Sequence, residues 1–203
     1  MPDADFFTHF GMFTNRNFFD SDLCLKIRSD MRSTDSNPST VVEKQGPDDA
    51  VDEKTRRTRS AKVSTSTRAL VEERLLAVKP KLEKHFNLVL DGCQKPQFLI
   101  YREGDFFRAH PDNSTDPDAP EFVKERQVSA VIFLNNEVED PMPDSYSGGS
   151  LTFYGLIDDP RGESMGFPLT GEAGLLVAFR PEILHEVTPV THGERYTIVS
   201  WFR

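Results

Sequence analysis

Hydrophobic positions recur at helical spacing in two early stretches of the chain and at strand spacing from residue 97 onward. In "NRNFFDSDLCLKIRSDMR", residues 15–32, Leu23, Ile27 and Met31 fall on one face behind Asp20 or Ser21, either of which can cap a helix. In "TRALVEERLLAVKPKLEKHF", residues 67–86, Leu70, Val71, Arg74, Leu75, Val78 and Leu82 recur at three and four. Pro80 lies inside this second pattern and predicts a kink or a split. Between the two helices, residues 33–66 lose periodicity. They are rich in Ser, Thr, Asp, Lys and Arg, contain Pro38, Gly46 and Pro47, and read as a mobile arm or an edge ribbon over the core.

From residue 97 the runs are short and rich in Val, Ile, Phe and Tyr: "QFLIY", "DFFRAH", "RQVSAVIFLN", "GSLTFYG", "GLLVAF", "ILHEV" and "RYTIVSWFR". Clusters of Gly, Pro, Asp and Asn separate them, a spacing that predicts a sandwich or barrel and not βαβ units. Polar loops at 112–126, 137–149 and 158–171 are long enough to be lids or substrate rims. The expectation is a mainly β protein with N-terminal helices. Residues 1–96 form a helical and arm region on a core of residues 97–203, within one structural domain.

Composition narrows the function. The chain has 203 residues, 37% hydrophobic, with 16 Phe, enough for a packed interior. Net charge is −9, and it is uneven: +1 over residues 1–100 and −10 over residues 101–203. An acidic C-terminal half disfavours nucleic acid as a partner. The one basic cluster, Lys54, Arg56, Arg57, Arg59 and Lys62, reads as a solvated, flexible stretch, the alternative being a contact for an anionic partner. Two cysteines, Cys24 and Cys93, form no CxxC pair and read as small buried thiols. The start "MPDADFF" is acidic where a signal peptide is basic, and no apolar run approaches the ~18 residues of a membrane helix, so a soluble cytoplasmic protein without membrane contact is expected.

The candidate chemistry begins at "FFRAHPD", residues 106–112. Chance alone supplies about 0.4 His-x-Asp pairs in such a composition, so His110 and Asp112 need context. His185 lies in a later β run, and Arg195 opens the last strand ten residues on. Two imidazoles and one carboxylate on one face of Fe(II) leave three positions for a cosubstrate and dioxygen. A dianionic keto acid that chelates there needs a fixed cation for its far carboxylate, and arginine supplies two parallel hydrogen bonds. If Arg195 points inward, alternation sends Thr197, Val199 and Trp201 the same way and Tyr196, Ile198 and Phe202 outward. The plainer alternatives are a strand-end turn with a satisfied core histidine, and a structural ion pair for Arg195. His192 is too near Arg195 to share the ion. His9 and His85 read as surface or helix-end residues. Gly148 and Gly149 read as a tight turn or bulge, and Arg102 and Arg108 as solvated rim charges.

These segments together resemble the iron(II)/2-oxoglutarate dioxygenases, in the prolyl 4-hydroxylase branch. "YREGDFFRAHPD" resembles that branch's Tyr-x-x-Gly segment leading to His-x-Asp, and "RQVSAVIFLN" its next core strand. "SGGSLTFYG" resembles its Gly-Gly-x-Leu segment, and "HEVTPVTHGERYTIVSWF" its distal His, basic residue and closing Trp. The match covers residues 97–203 well and 50–96 loosely. The resemblance implies a double-stranded β-helix (jelly-roll, cupin-like) core. It implies His110, Asp112 and His185 as Fe(II) ligands, Arg195 on the 2-oxoglutarate C5 carboxylate, and Tyr101 as a further contact to that cosubstrate. The implied reaction is hydroxylation of an unactivated C–H with O2, with ascorbate as a reductant.

The chain departs from the branch in three places. Phe133 stands where oxygen-sensing prolyl hydroxylases carry a second tyrosine, and Val199 where they carry a hydroxyl residue. The sequence ends at Arg203, directly after the last strand, without a C-terminal helix to grip a peptide. A prolyl residue in a peptide or protein is the first expectation for the substrate, and a free amino acid or small biosynthetic intermediate the second. Oligomeric state is left open. A non-catalytic metal-binding jelly-roll module is the rival from another class, and Arg195 speaks against it. A nucleic-acid demethylating oxygenase would need a basic groove.

Overall fold

A computed structural model describes residues 4–33, 36–38, 54–140, 142–158 and 165–203. The helices are α1 (Ala4–Thr8), α2 (Ser21–Ser33), α3 (Thr65–Phe86) and α4 (Glu121–Lys124). The strands are β1 (Phe13–Asn15), β2 (Ser36–Pro38), β3 (Arg56–Arg57), β4 (Arg59–Ala61), β5 (Gln97–Tyr101), β6 (Phe106–His110), β7 (Val128–Phe133), β8 (Tyr146–Gly148), β9 (Leu151–Phe153), β10 (Phe167–Leu169), β11 (Leu176–Phe179), β12 (His185–Val187), β13 (Val190–Gly193) and β14 (Arg195–Phe202).

Among the described residues the strands form a seven-stranded sheet in the order β1-β11-β7-β14-β5-β4-β2 and a five-stranded sheet in the order β10-β9-β12-β6-β3. A ribbon of β13 and β8 completes the set. Every pairing within the sheets is antiparallel. The large sheet is buried on both faces, which explains why its central strands read as nearly unbroken apolar runs. One face carries Phe98, Ile100, Ile132, Tyr196, Ile198 and Phe202 and packs under Ile27 and Met31 of α2 and Val71, Leu75 and Leu82 of α3. The other face carries Leu99, Tyr101, Val131, Phe133 and Val177 and packs on Leu151, Phe153 and Val187 of the small sheet.

Local signals set the helix ends. The Leu23 N–H donates to Asp20 Oδ1 at 2.8 Å, so Asp20 is the cap of α2. α3 begins two residues before the expected start, and Ser64 caps it, accepting from the Thr67 N–H at 3.2 Å. The helix runs through Pro80 without a split. Pro80 and the residue four before it, Leu76, lie on the exposed side, where water satisfies the carbonyl that the missing N–H leaves behind. Arg74, expected among the apolar positions, is exposed, and the buried row is Thr67, Val71, Leu75, Val78, Leu82 and Phe86.

The interval expected as an arm is partly sheet. β4 pairs with β5 on the large sheet, and β3 pairs with β6 on the small one, so residues 56–61 stitch the two layers along one side. Residues 34–35 and 39–53 of that interval lie outside the described residues.

Candidate active site

The two imidazoles meet because their strands do. β12 pairs with β6 in a register that sets His185 opposite His110, and the rings lie 4.5 Å apart. Asp112 follows β6 by two residues, and its N–H is held by the Pro181 carbonyl at 2.7 Å. His110 Nε2 is 3.7 Å from Asp112 Oδ1, and His185 Nε2 is 3.6 Å from Asp112 Oδ2. One ligand atom from each of the three residues lies within 4.8 Å of the others. Both imidazoles are fixed in the same way: Nδ1 of His110 lies 2.8 Å from the Arg108 carbonyl, and Nδ1 of His185 lies 2.8 Å from the Ile183 carbonyl. A proton on each Nδ1 satisfies those carbonyls and leaves the Nε2 lone pairs facing Asp112. Two neutral imidazoles and one carboxylate fit a divalent iron that keeps open positions.

Electrostatics keep His110 and Asp112 in their ligating forms. Burial pushes His110 down to about 4, helped by the neighbouring His185, against the pull of Asp112. Burial alone would raise Asp112. The facing imidazoles, the Ser129 hydroxyl and Trp201 outweigh it and hold the carboxyl below its ordinary range. Ser129 Oγ donates to Asp112 Oδ2 at 2.6 Å, and Arg126 Nη1 donates to the Asp112 carbonyl at 2.7 Å. The Arg126 guanidinium lies 3.6 Å from the centre of a Trp201 ring, and burial pulls it down to about 10. Ser129 and Arg126 are positioning residues that the sequence did not reveal. Their partners lie 17 and 14 residues away, and only the fold brings them together.

Arg195 enters the same cavity from the large sheet. It is 1% exposed, and among the described residues no carboxylate forms an ion pair with it. Its Nη1 donates to Thr197 Oγ1 at 3.2 Å, while Nε has no hydrogen-bond partner. The guanidinium lies 5.0 Å from the centre of the Tyr101 ring, directly opposite on β5, and 5.2 Å from that of Phe133. The charge of buried Glu137 acts on Arg195 but forms no ion pair with it, and a buried cation without a direct carboxylate contact is costly unless a ligand completes it. The far carboxylate of 2-oxoglutarate has the geometry to do so. Gly149, at φ +64°, makes room for the arginine stem, since a Cβ there would stand 3.2 Å from Arg195 Cδ.

The cavity together with its open mouth holds ≈490 Å³ of empty space and has His110, Asp112, His185, Arg195, Tyr101 and Trp201 in its wall. Thr197 and Val199 line it too, as the alternation along β14 predicts. His192 is on the surface beside Glu103, and His85 bonds the Gly11 carbonyl at 3.0 Å, both away from the triad. Two further buried residues went unnoticed in the polar loop 137–149: Glu137, which accepts from Ser150 Oγ and the Gly171 N–H, and Tyr146, whose hydroxyl is beside Arg195. Arg56 corrects the reading of the basic cluster as solvated. It is 8% exposed, lines the cavity and stacks on Phe107.

A jelly-roll of two antiparallel sheets with a His-Asp-His cluster and a buried arginine in one cavity defines the class of non-haem iron oxygenase scaffolds. The family model described as the 2OG-Fe(II) oxygenase superfamily matches residues 96–203, and the chain belongs to that superfamily. A PKHD-type hydroxylase of Shewanella sp. (strain ANA-3) is 34% identical over 108 residues, 53% of this chain and 42% of that one, so the chain spans less than half the length of such relatives. A Pseudomonas putida prolyl-4-hydroxylase structure superposes with TM-score 0.70 at 24% identity, covering 98% of this chain and 96% of that one. A Trichoplax adhaerens prolyl hydroxylase, in complex with a hypoxia inducible factor oxygen degradation domain peptide fragment, gives 0.69 at 18% identity, covering 98% and 86%. At these identities the structures establish the double-stranded β-helix fold.

Proposed function

We propose that the chain is an Fe(II)- and 2-oxoglutarate-dependent dioxygenase that hydroxylates an unactivated C–H. His110, Asp112 and His185 hold the iron, Arg195 binds the cosubstrate's C5 carboxylate, and Tyr101 contacts the cosubstrate. The observation that carries this reading is the meeting of three ligand atoms within 4.8 Å in a cavity that also holds the buried guanidinium of Arg195.

When bound, Fe(II) supplies open coordination positions and the electrons that activate dioxygen. The chain's own residues do the rest. The Arg108 and Ile183 carbonyls keep both Nε2 atoms unprotonated, and Ser129 and Arg126 aim Asp112. Arg195 and Thr197 fix one end of the cosubstrate, so that it presents its keto acid end in one orientation. Leu99, Val131, Leu151 and Val187 keep the cavity wall apolar and exclude water. The balance is R–H + O2 + 2-oxoglutarate → R–OH + succinate + CO2, one oxygen atom entering the alcohol and the other succinate. Ascorbate keeps the metal ferrous between turnovers.

A prolyl residue in a peptide or protein is the first substrate class, supported by the PKHD-type and prolyl-hydroxylase relatives. A small molecule is the second. Residues 97–203 are the catalytic core, and residues 1–96 support it. Two free cysteines fit a reducing cytoplasm, and none of the described helices is long and apolar enough to cross a membrane. The test is anaerobic addition of Fe(II) and 2-oxoglutarate, which should produce a weak visible charge-transfer band. A panel of prolyl peptides, amino acids and metabolites is then read by succinate release and a +16 mass shift. Folded protein that gives no band returns the chain to the non-catalytic module class.

A further inference from the structure

The cavity has a second arginine, from the opposite layer. Arg195 comes from the large sheet; Arg56 comes from β3, the edge strand of the small sheet beyond β6. Arg56 sits opposite Phe107 in the β3–β6 register, with its guanidinium carbon 4.6 Å from the centre of that ring. Phe107 in turn stacks on the ligand His110, with centroids 3.6 Å apart and planes 20° from parallel. The guanidinium is thus tied through one aromatic ring to the metal cluster. The ribbon that carries it is held in place: the Arg108 N–H donates to the Thr55 carbonyl at 2.9 Å, and Arg108 Nε donates to the Lys54 carbonyl.

This arginine has no part in the chemistry assigned so far. The dianionic cosubstrate is accounted for at both ends, by the iron and by Arg195. A guanidinium has five N–H donors in a rigid fork, so it can hold one protein partner and still offer donors to a ligand. In a largely apolar cavity a carboxylate on such a fork is held more strongly than in water. Arg57 and Arg108 extend the positive edge, their guanidinium carbons 5.8 and 5.7 Å from the Phe106 ring centre. Arg56 and Arg57 bring this positive edge from residues 1–100, net +1, onto a core of residues 101–203 whose charge is −10.

We infer that Arg56 is a substrate-recognition residue and that the molecule oxidised in this cavity carries a carboxylate that binds it. This rests on the dioxygenase reading, because it assigns the cosubstrate to Arg195 and leaves Arg56 for the second reactant. The carboxylate belongs either to a free acid or to an acidic side chain near the target residue of a peptide.

The test uses matched probes that differ in charge alone. The first pair is N-acetyl-L-proline against N-acetyl-L-prolinamide. The second is a proline-centred pentapeptide with flanking glutamates against its glutamine counterpart. The protein is loaded anaerobically with Fe(II) and saturating 2-oxoglutarate, so that Arg195 is engaged. Binding is read by fluorescence of Trp201, the chain's single tryptophan, which shares the cavity wall with Arg56. The expected result is at least tenfold tighter binding of the anionic member of one pair. That ratio collapses to within twofold in Arg56→Gln and is partly kept in Arg56→Lys. Preference in the first pair assigns a free acid, and preference in the second an acidic peptide. Equal affinity within both pairs, or a ratio that survives Arg56→Gln in protein with an unchanged circular dichroism spectrum, overturns the inference. If the loaded protein shows no charge-transfer band, the dioxygenase reading fails separately. The same pairs on metal-free protein then decide the charge preference by the same criteria.

Discussion

The two faces of β14 differ in what they are for, although they share one backbone. Tyr196, Ile198 and Phe202 pack against α2 and α3, the Tyr196 hydroxyl also accepting from Arg32 Nε at 2.8 Å. Arg195, Thr197, Val199 and Trp201 line the cavity. The helix side gains its stability from apolar area removed from water. The cavity side gives some of that up by burying the Arg195 guanidinium, with no ion pair to it among the described residues, as a binding site must. Mutations on the two faces should therefore fail in different assays, and the largest separation is expected at the metal cluster. His185→Ala should reduce succinate release by on the order of a thousandfold or more while far- and near-ultraviolet circular dichroism stay native. Retained turnover would remove His185 from the ligand set.

A sharper contrast is available on β14 itself. Arg195→Leu should raise the 2-oxoglutarate concentration needed for half-saturation by roughly a hundredfold, as expected when a buried charged hydrogen bond is lost. Iron affinity should barely move. Ile198→Ala, three residues on and facing the helices, should cost roughly 2–5 kcal/mol of stability and leave 2-oxoglutarate binding of the folded fraction unchanged. Anaerobic titration and urea unfolding on both variants decide the matter. Similar profiles for the two would mean that the faces are not functionally separate.

Acid should strike the cavity side first. His110 is held at about 4 by burial, below its ordinary 6.5, so between those values the unfolded chain binds a proton that the folded one does not. The metal-free protein should therefore lose stability as the pH falls from about 6.5 to about 4, by up to roughly 3 kcal/mol. Asp112, held below 3.8, continues the loss at still lower pH, because its contribution is present above the unfolded value and vanishes on protonation. On the helix side, burial pushes Tyr196 up to about 12, far from this window. Urea midpoints of the metal-free protein at pH 7, 5.5 and 4.5 should fall in wild type and stay flatter in His110→Gln. Parallel slopes would place the titrating group elsewhere.

The same contrast explains what the sequence disclosed. β5, β7, β11 and β14 were legible because a sheet buried on both faces needs long runs of Val, Ile, Leu and Phe, and the alternation along β14 assigned each residue to its face. His110, Asp112, His185 and Arg195 were legible because their chemical types and order are restrictive. β3, β8, β10 and β13 were not, since two to four residues carry too little period and their pairing is decided by the rest of the fold. Arg56 was misread because a basic, polar run has the composition of a solvated arm. The available signal was the alternation of Arg56 and Thr58, both buried, against exposed Arg57. Tyr146 and Glu137 were hidden in a loop whose composition is polar even though those two side chains are not exposed.

The smallest effect tests the comparison most finely, because it uses two serines on the same sheet. Ser129 Oγ donates to Asp112 Oδ2 of the triad at 2.6 Å. Ser200 Oγ donates to the Gln94 carbonyl at 2.8 Å, away from the triad. Both are 1% exposed, so burial alone predicts similar costs for their loss. Position predicts otherwise. Ser129→Ala frees the carboxylate that orients the ligand set and should weaken divalent metal binding by about tenfold, the usual scale for a partner one step behind a ligand. Ser200→Ala should leave metal affinity alone and cost roughly 1 kcal/mol of stability, the net worth of one buried hydrogen bond. Metal competition titration and thermal unfolding on the pair separate the two effects. Equal loss of metal affinity in both variants would show that rigidity of the whole sheet, and not the aim of Asp112, governs the site.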